Sequence, residues 1–221
     1  MNEKIKIGAF FDFDRTLIDM ESGRIGFKYL YEIGEIPLVF LLKIFVTDLL
    51  YQRDFISDTR MASIMLKFYR RRNLQDFEDG AESFYKDYLK PHLAPAITAK
   101  LNEHQQAGHV TVLISASIRY MLAPVVEDLG FDYLLCTDLE VGTDGRLTGK
   151  ANGPICIDKN KRIAAEKLSN RTGINLEQSY AYGNHHSDIP LLEAVGNPSA
   201  VEPTLPLRKH AEKRNWPILS F

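Results

Sequence analysis

The chain has 221 residues, 45% hydrophobic and 25% charged, which suits one large domain or a core with an insert and excludes a disordered, collagenous or simple coiled-coil chain. Lysine and arginine number 27 against 29 aspartates and glutamates, a formal net charge of −2, so no general field attracts nucleic acid and none is expected as a partner. Cys136 and Cys156 are the only cysteines. With a start at Met1–Phe10 that has no signal-like character, they predict two unpaired thiols in a reducing, cytoplasmic setting.

In chain order, Lys4–Phe13 (KIKIGAFFDF) is short, apolar and β-rich and reads as a buried strand. From about Ser22 to Leu89 the pattern is helical without a strand, broken at Gly34–Pro37, Arg53–Asp54 and Asn73. Its longest apolar stretch, Ile36 to Tyr51, is interrupted by Lys43, Thr47 and Asp48 and falls short of the roughly 20 apolar residues that a membrane-spanning helix needs. The run from Leu38 to Val46 is too apolar for an ordinary two-sided surface helix. It is expected to be buried, as a core helix of a small helical subdomain or, alternatively, against lipid or an acyl-bearing substrate. Arg70-Arg71-Arg72 reads as a charged helix end, the alternative being a holder of an anionic headgroup or a second phosphate.

From Pro95 onward, helices and strands alternate. Helix Pro95–Ala107 ends at Gly108, strand Val110–Ser115 follows, then helix Tyr120–Leu129 closed by Gly130, and strand Phe131–Cys136. Leu139–Val141 and Arg146–Thr148 flank the hairpin turn Thr143-Asp144-Gly145. Helix Lys161–Ser169, strand Gln178–Tyr182, helix Asp188–Ala194 and strand Ala200–Val201 complete the chain. Alternation of this length predicts right-handed βαβ units, an α/β fold with a parallel sheet, and a helical block inserted after the first strand.

Ligands of open parallel sheets sit beyond the carboxyl ends of the strands, and each predicted strand carries chemistry there. The first ends in Asp12-Phe13-Asp14-Arg15-Thr16, the second in Ser115-Ala116-Ser117, and a later one in Gly183-Asn184-His185-His186-Ser187-Asp188, while Lys161 begins a helix. Two carboxylates, hydroxyls, an ammonium and an amide meet the needs of magnesium-assisted phosphoryl transfer. Asp12 is the candidate nucleophile, forming an aspartyl phosphate. Asp14 would protonate the leaving oxygen and later deprotonate water. Asp12, the Asp14 carbonyl and oxygens of Asn184 or Asp188 suit the hard magnesium ion. Ser115 and Lys161 would bind the phosphoryl oxygens.

Asp12-x-Asp14-x-Thr16, Ser115, Lys161 and Gly183-Asn184-x-x-x-Asp188 resemble, in order, the four motifs of the haloacid-dehalogenase-like superfamily. More narrowly, AFFDFDRTL, LISAS, GPICIDKNK, SYAYGNHHSDIPLLEAVGNPSAVEP and RNWPILSF resemble its phosphoserine-phosphatase-like subgroup with a helical cap. The resemblance implies a Rossmann-like core over residues 1–18 and 91–221 with a cap over 19–90. It implies catalytic Asp12 and Asp14, phosphate binding by Thr16, Ser115, Ala116, Ser117 and Lys161, and magnesium held by Asp12, Asp14, Asn184 and Asp188. Three residues depart from the commoner pattern: Arg15 stands where a glycine is frequent, Asn184 where an aspartate is usual, and Ser117 where true phosphoserine phosphatases often carry glycine. His185 and His186 read either as solvated loop residues or as contacts to substrate or metal water.

The expected activity is that of a cytoplasmic, magnesium-dependent phosphomonoester phosphatase acting on a small phosphorylated metabolite or a lipid headgroup phosphate. A phosphotransferase or mutase of the same fold and a catalytically weakened phosphate-binding module are the alternatives. The apolar insert adds the expectation of peripheral membrane or lipid-substrate contact.

Overall fold

The computed structural model describes residues 5–51 and 55–221, so the expected break at Arg53–Asp54 lies outside the described residues. Its centre is a six-stranded, wholly parallel sheet. The strands are β1 (Gly8–Phe11), β2 (Val110–Ile118), β3 (Tyr133–Thr137), β6 (Tyr180–Gly183), β7 (Asn197–Val201) and β8 (Ile218–Leu219), in the order β3-β2-β1-β6-β7-β8. The antiparallel pair β4 (Leu139–Val141) and β5 (Leu147–Ala151) forms a separate hairpin. The fold is the expected α/β class.

Side-chain alternation along the strands divides the core. Phe11 and Leu113 face one layer with Ile97 and Leu101 of α5 (Pro95–Gln106) and Leu122 and Val125 of α6 (Arg119–Leu129). Phe10, Val112 and Ile114 face the other, covered by Ala165 and Leu168 of α7 (Lys159–Thr172), Leu191 and Leu192 of α8 (Ile189–Leu192) and Leu207 of α9 (Leu205–Arg214). Helix-on-both-faces burial is what lets the central strands be continuously apolar.

Among the described residues four α-helices intervene between β1 and α5: α1 (Ser22–Glu32), α2 (Leu38–Tyr51), α3 (Asp58–Leu66) and α4 (Leu74–Phe84). The chain enters and leaves this block at one place, where Ile18 bridges Leu93, the Asp19 N–H donates to the His92 carbonyl and the Ala94 N–H to that of Leu17. The block has its own core, in which Phe27, Leu30, Ile44, Phe68 and Phe77 pack with Leu139 and Leu147 of the hairpin. Backbone bonds fasten the two: the Arg71 N–H donates to the Leu147 carbonyl at 2.7 Å and the Leu147 N–H to that of Arg72 at 2.9 Å.

The expectation that the apolar run would be buried needs correction. On α2 only one face packs, through buried Ile44 and half-buried Phe40 and Leu41. Opposite, Val39 is 77% exposed and Phe45 63%, with Leu38, Leu42 and Val46 also in solvent. The insert is too small to wrap a helix that is apolar all round, so one of its faces is left over. Among the described residues no helix is long and apolar enough to cross a membrane.

Several boundaries also shift. The first strand stops at Phe11 because the chain then turns, with the N–H groups of Leu17 and Ile18 converging on the Phe13 carbonyl. The second continues past Ser115 to Ile118 through a register irregularity. Helix α7 begins at Lys159 rather than Lys161. The expected helix from Asp188 is a 3-10 turn over His186–Asp188 followed by the short α8. Helix α9 and strand β8 were not anticipated from the sequence.

Candidate active site

The carboxyl ends of three neighbouring strands, β2, β1 and β6, bring the candidate residues together. Asp12 follows β1 and is buried, its N–H donating to the Tyr182 carbonyl at 3.0 Å. The turn after it places Thr16 Oγ1 3.4 Å from Asp12 Oδ2. Lys161 in the first turn of α7 extends its ammonium to Asp12 Oδ1 and to Asp188 Oδ1, both at 2.6 Å. It is 3% exposed, whereas Lys159 stays in solvent.

Asp188 is held from its other oxygen, where Oδ2 accepts the N–H groups of Asn184 at 3.0 Å and His185 at 2.9 Å. This approach requires Gly183, because a Cβ there would lie 2.7 Å from Asp188 Cβ. Asn184 directs its Nδ2 to the carbonyls of Val201 at 3.3 Å and Glu202 at 2.5 Å, which commits the amide N–H groups and leaves Oδ1 as the acceptor. His185 Nδ1 pairs with Ser187 Oγ at 3.0 Å, and its ring lies 3.9 Å from that of His186.

Asp14 is wired differently. Its Oδ2 accepts from Ser117 Oγ at 2.9 Å and its Oδ1 from the Ser22 N–H at 2.5 Å, and the two serine hydroxyls are 3.0 Å apart. Ser22 opens α1, so the first residue of the helical block touches the second carboxylate. The sequence reading missed Ser22, and it quoted Gly183 in a motif without giving it a role. No periodic signal marks Ser22, because its partners lie 8 and 95 residues away; Gly183 was marked only by its place before Asn184. Ser115 Oγ accepts the Ser117 N–H at 3.1 Å, and Ala116 lies between them on β2, half-buried. Arg15 stands at φ +55°, a left-handed conformation that explains the frequent glycine there. Its exposed side chain turns to the Asp19 carbonyl at 3.0 Å.

Electrostatics follow from burial and the count of charges. Burial raises the Asp12 carboxyl above its usual range, the Asp188 carboxylate adds to this, and Lys161 opposes it. Burial likewise raises Asp14 against the hydrogen bonds of Ser22 and Ser117. Burial pulls the Lys161 ammonium down, but Asp12 and Asp188 outweigh that and hold it above its ordinary value. One ammonium thus serves three carboxylates in a largely water-excluded place, an excess of negative charge that a cation would relieve. All the donors are oxygens, which fits a hard divalent ion. Among the described residues no three His, Cys, Asp or Glu side chains are already grouped to hold one, so an ion here needs the Asn184 amide and backbone carbonyls as well.

Such a fold and site define a parallel-sheet α/β protein with buried carboxylates gathered at the carboxyl ends of its strands. Residues 9–193 match the haloacid dehalogenase-like hydrolase family, and the chain belongs to it. It is 30% identical over 220 residues to a histidinol-phosphatase of Neisseria meningitidis serogroup C (strain 8013), covering 96% of this chain and 98% of that one. To phosphoserine phosphatase SerB1 of Mycobacterium tuberculosis it is 29% identical, over 96% of this chain and 70% of that one. A protein of unknown function from Bordetella pertussis Tohama I superposes with a TM-score of 0.86 at 26% identity, covering 98% and 99% of the two chains. A substrate-bound phosphoserine phosphatase superposes at 0.72 and 21% identity, over 98% of this chain and 94% of that one, and so shares the fold. The enzyme class is phosphoric monoester hydrolase, in the phosphoserine-phosphatase-like branch.

Proposed function

We propose that the protein is a magnesium-dependent phosphatase of small phosphorylated metabolites that works through an aspartyl phosphate on Asp12. The observation that carries the reading is the Lys161 ammonium bridging Asp12 and Asp188 beside an Asp14 held by Ser22 and Ser117. Asp12 Oδ1 is taken by Lys161, whereas Oδ2 has only the long Thr16 contact, which supports Oδ2 as the attacking oxygen. Attack on phosphorus breaks the bond to the alcohol oxygen, and Asp14, biased by burial toward its protonated form, supplies that oxygen's proton. Asp14 then takes a proton from the water that cleaves the acyl phosphate. Thr16, Ser115, Ala116, Ser117 and Lys161 border the transferred group, with hydroxyls and the ammonium as donors. Asp12, the Asp14 carbonyl and the Asn184 amide oxygen would hold magnesium, and Asp188, already accepting three hydrogen bonds, would order Lys161 and the Asn184 backbone. The ion would screen the anion from the carboxylates.

Residues 19–90 would act as a cap that reads the organic part of the substrate. The near full-length similarity to a histidinol-phosphatase puts histidinol phosphate first among substrates to test, followed by phosphoserine. The outward face of α2 supports including lipid-bearing phosphates and a peripheral membrane contact, and the two free cysteines support a cytoplasmic setting. In a panel of these esters with magnesium, wild type is expected to release phosphate and to be inhibited by beryllium fluoride, while Asp12→Asn folds and is inert. Retained turnover in Asp12→Asn would overturn the mechanism.

A further inference from the structure

A cavity of about 370 Å³ separates α1 from α4, with Tyr120 of α6 also lining it. None of the residues placed in the candidate active site borders it. Each helix presents one face, Gly26, Tyr29 and Leu30 from α1 and Phe77, Gly80 and Phe84 from α4, at the three- and four-residue spacings that stack side chains together. The two glycines leave the space open. A Cβ on Gly26 would meet Met121 Cε at 3.6 Å and Phe84 Cζ at 3.8 Å, and one on Gly80 would meet Tyr29 Oη at 3.8 Å. These are ordinary contacts, so alanine would fit and would favour each helix, at the expense of cavity volume.

Arg71, Arg72 and Arg146 line the cavity together with these aromatic walls. Arg72 is engaged, 3.0 Å from Glu35 and stacked 4.2 Å over the Phe68 ring. Arg146 Nη1 donates to the Arg71 carbonyl at 3.0 Å, and neither Arg71 nor Arg146 is ion-paired with a described carboxylate. The backbone bonds between Arg71, Arg72 and Leu147 fix this part of the lining. Glu35 and Asp76 are the carboxylates that also line it, which leaves one positive charge uncompensated.

We propose that this cavity is a second binding site, separate from the catalytic centre, for an amphipathic anion. A flat apolar body would lie among Tyr29, Phe77, Phe84 and Tyr120, and a carboxylate, sulfonate or phosphate head would rest on Arg71 and Arg146, whose planar forks match oxyanions. The volume falls in the range of about 300–1,000 Å³ usual for small-molecule pockets.

The probe is 8-anilinonaphthalene-1-sulfonate, an aryl sulfonate with no phosphate ester, titrated by fluorescence against the whole chain. Saturable binding is expected, with Kd raised at least about tenfold in the Arg71→Gln, Arg146→Gln double variant. Gly80→Leu, checked for folding by circular dichroism, should abolish binding, and the milder Gly80→Ala should weaken it. Phe45→Asp, on the exposed face of α2, should leave Kd unchanged, as should orthophosphate with magnesium. Binding in the double arginine variant within about twofold of wild type, loss of binding in Phe45→Asp, or displacement by orthophosphate and magnesium would each overturn the assignment.

Discussion

Replacing Lys161 by methionine removes a charge while keeping most of the side chain's bulk, at a place where the structure allows the cost to be reckoned. The ammonium lies 2.6 Å from both Asp12 Oδ1 and Asp188 Oδ1. Asp12 is 6% exposed and Asp188 1%, so neither carboxylate can turn to water once its partner has gone. Breaking a buried ion pair by deleting one member costs about 3–5 kcal/mol, a large part of the roughly 5–15 kcal/mol that holds a domain folded. Urea unfolding at neutral pH with a chelator present should therefore show a lower midpoint with an unchanged slope. The cause is charge left behind rather than lost contact, so adding Asp12→Asn to Lys161→Met should restore about 1–3 kcal/mol, a coupling expected only of residues that share one interaction. A single-variant loss below about 1 kcal/mol, or strictly additive losses, would refute the reasoning.

Gly183→Ala forces a Cβ to within 2.7 Å of Asp188 Cβ; an overpacking loss of about 1–3 kcal/mol in urea melts should accompany a drop in turnover of p-nitrophenyl phosphate. Asn184→Asp sets a carboxylate oxygen against the Val201 and Glu202 carbonyls that now accept from the amide, so metal-free stability should fall by about 1–3 kcal/mol. The added charge should nevertheless lower the magnesium concentration for half-maximal activity, and an unchanged requirement would argue that the amide is not a ligand. His104 lies beneath the sheet against Tyr182 and His109, and burial, with His109 second, lowers its pKa from 6.5 to about 4. Between those values the unfolded chain binds the proton that the folded chain refuses, so stability is lost as pH falls from about 6.5 toward 4. Thermal melts of His104→Gln should show a shallower acid slope.

The parallel sheet was legible because its strands are apolar on both faces and alternate with helices closed by Gly108 and Gly130, both at positive φ. The candidate residues could be gathered in advance because Asp12 and Asn184 lie just past a strand's carboxyl end and Ser115 lies near the end of β2, and topology does the rest. Other features leave little trace in one dimension. Helix α9 reads Leu-Pro-Leu-Arg-Lys-His-Ala-Glu-Lys-Arg, too polar to announce itself, and buries only Leu207 and Ala211 fully. Strand β8 has two residues, held by β7 alone. The exposure of α2 contradicts a rule that holds on average, since hydropathy describes the preference of a side chain and says nothing about whether enough neighbours exist to cover it.

The hydrogen bonds from Ser22 to Asp14 and Ser117 constrain how such proteins can be recombined. An insert that enters and leaves the chain at one point, between Ile18 and Leu93, invites exchange as a cassette. Its opening residue, however, also positions a carboxylate of the core, so the seam is chemical as well as topological. A chimera cut at the paired crossing but lacking a hydroxyl residue at position 22 would keep a backbone N–H for Asp14 and lose the hydroxyl that meets Ser117, whose own hydroxyl donates to Asp14. Later in the insert the ties are of another kind, the Tyr69–Tyr120 and Tyr85–Asp128 bonds and the backbone bonds of Arg71 and Arg72 to Leu147, which fix how the helices sit and do not touch Asp14.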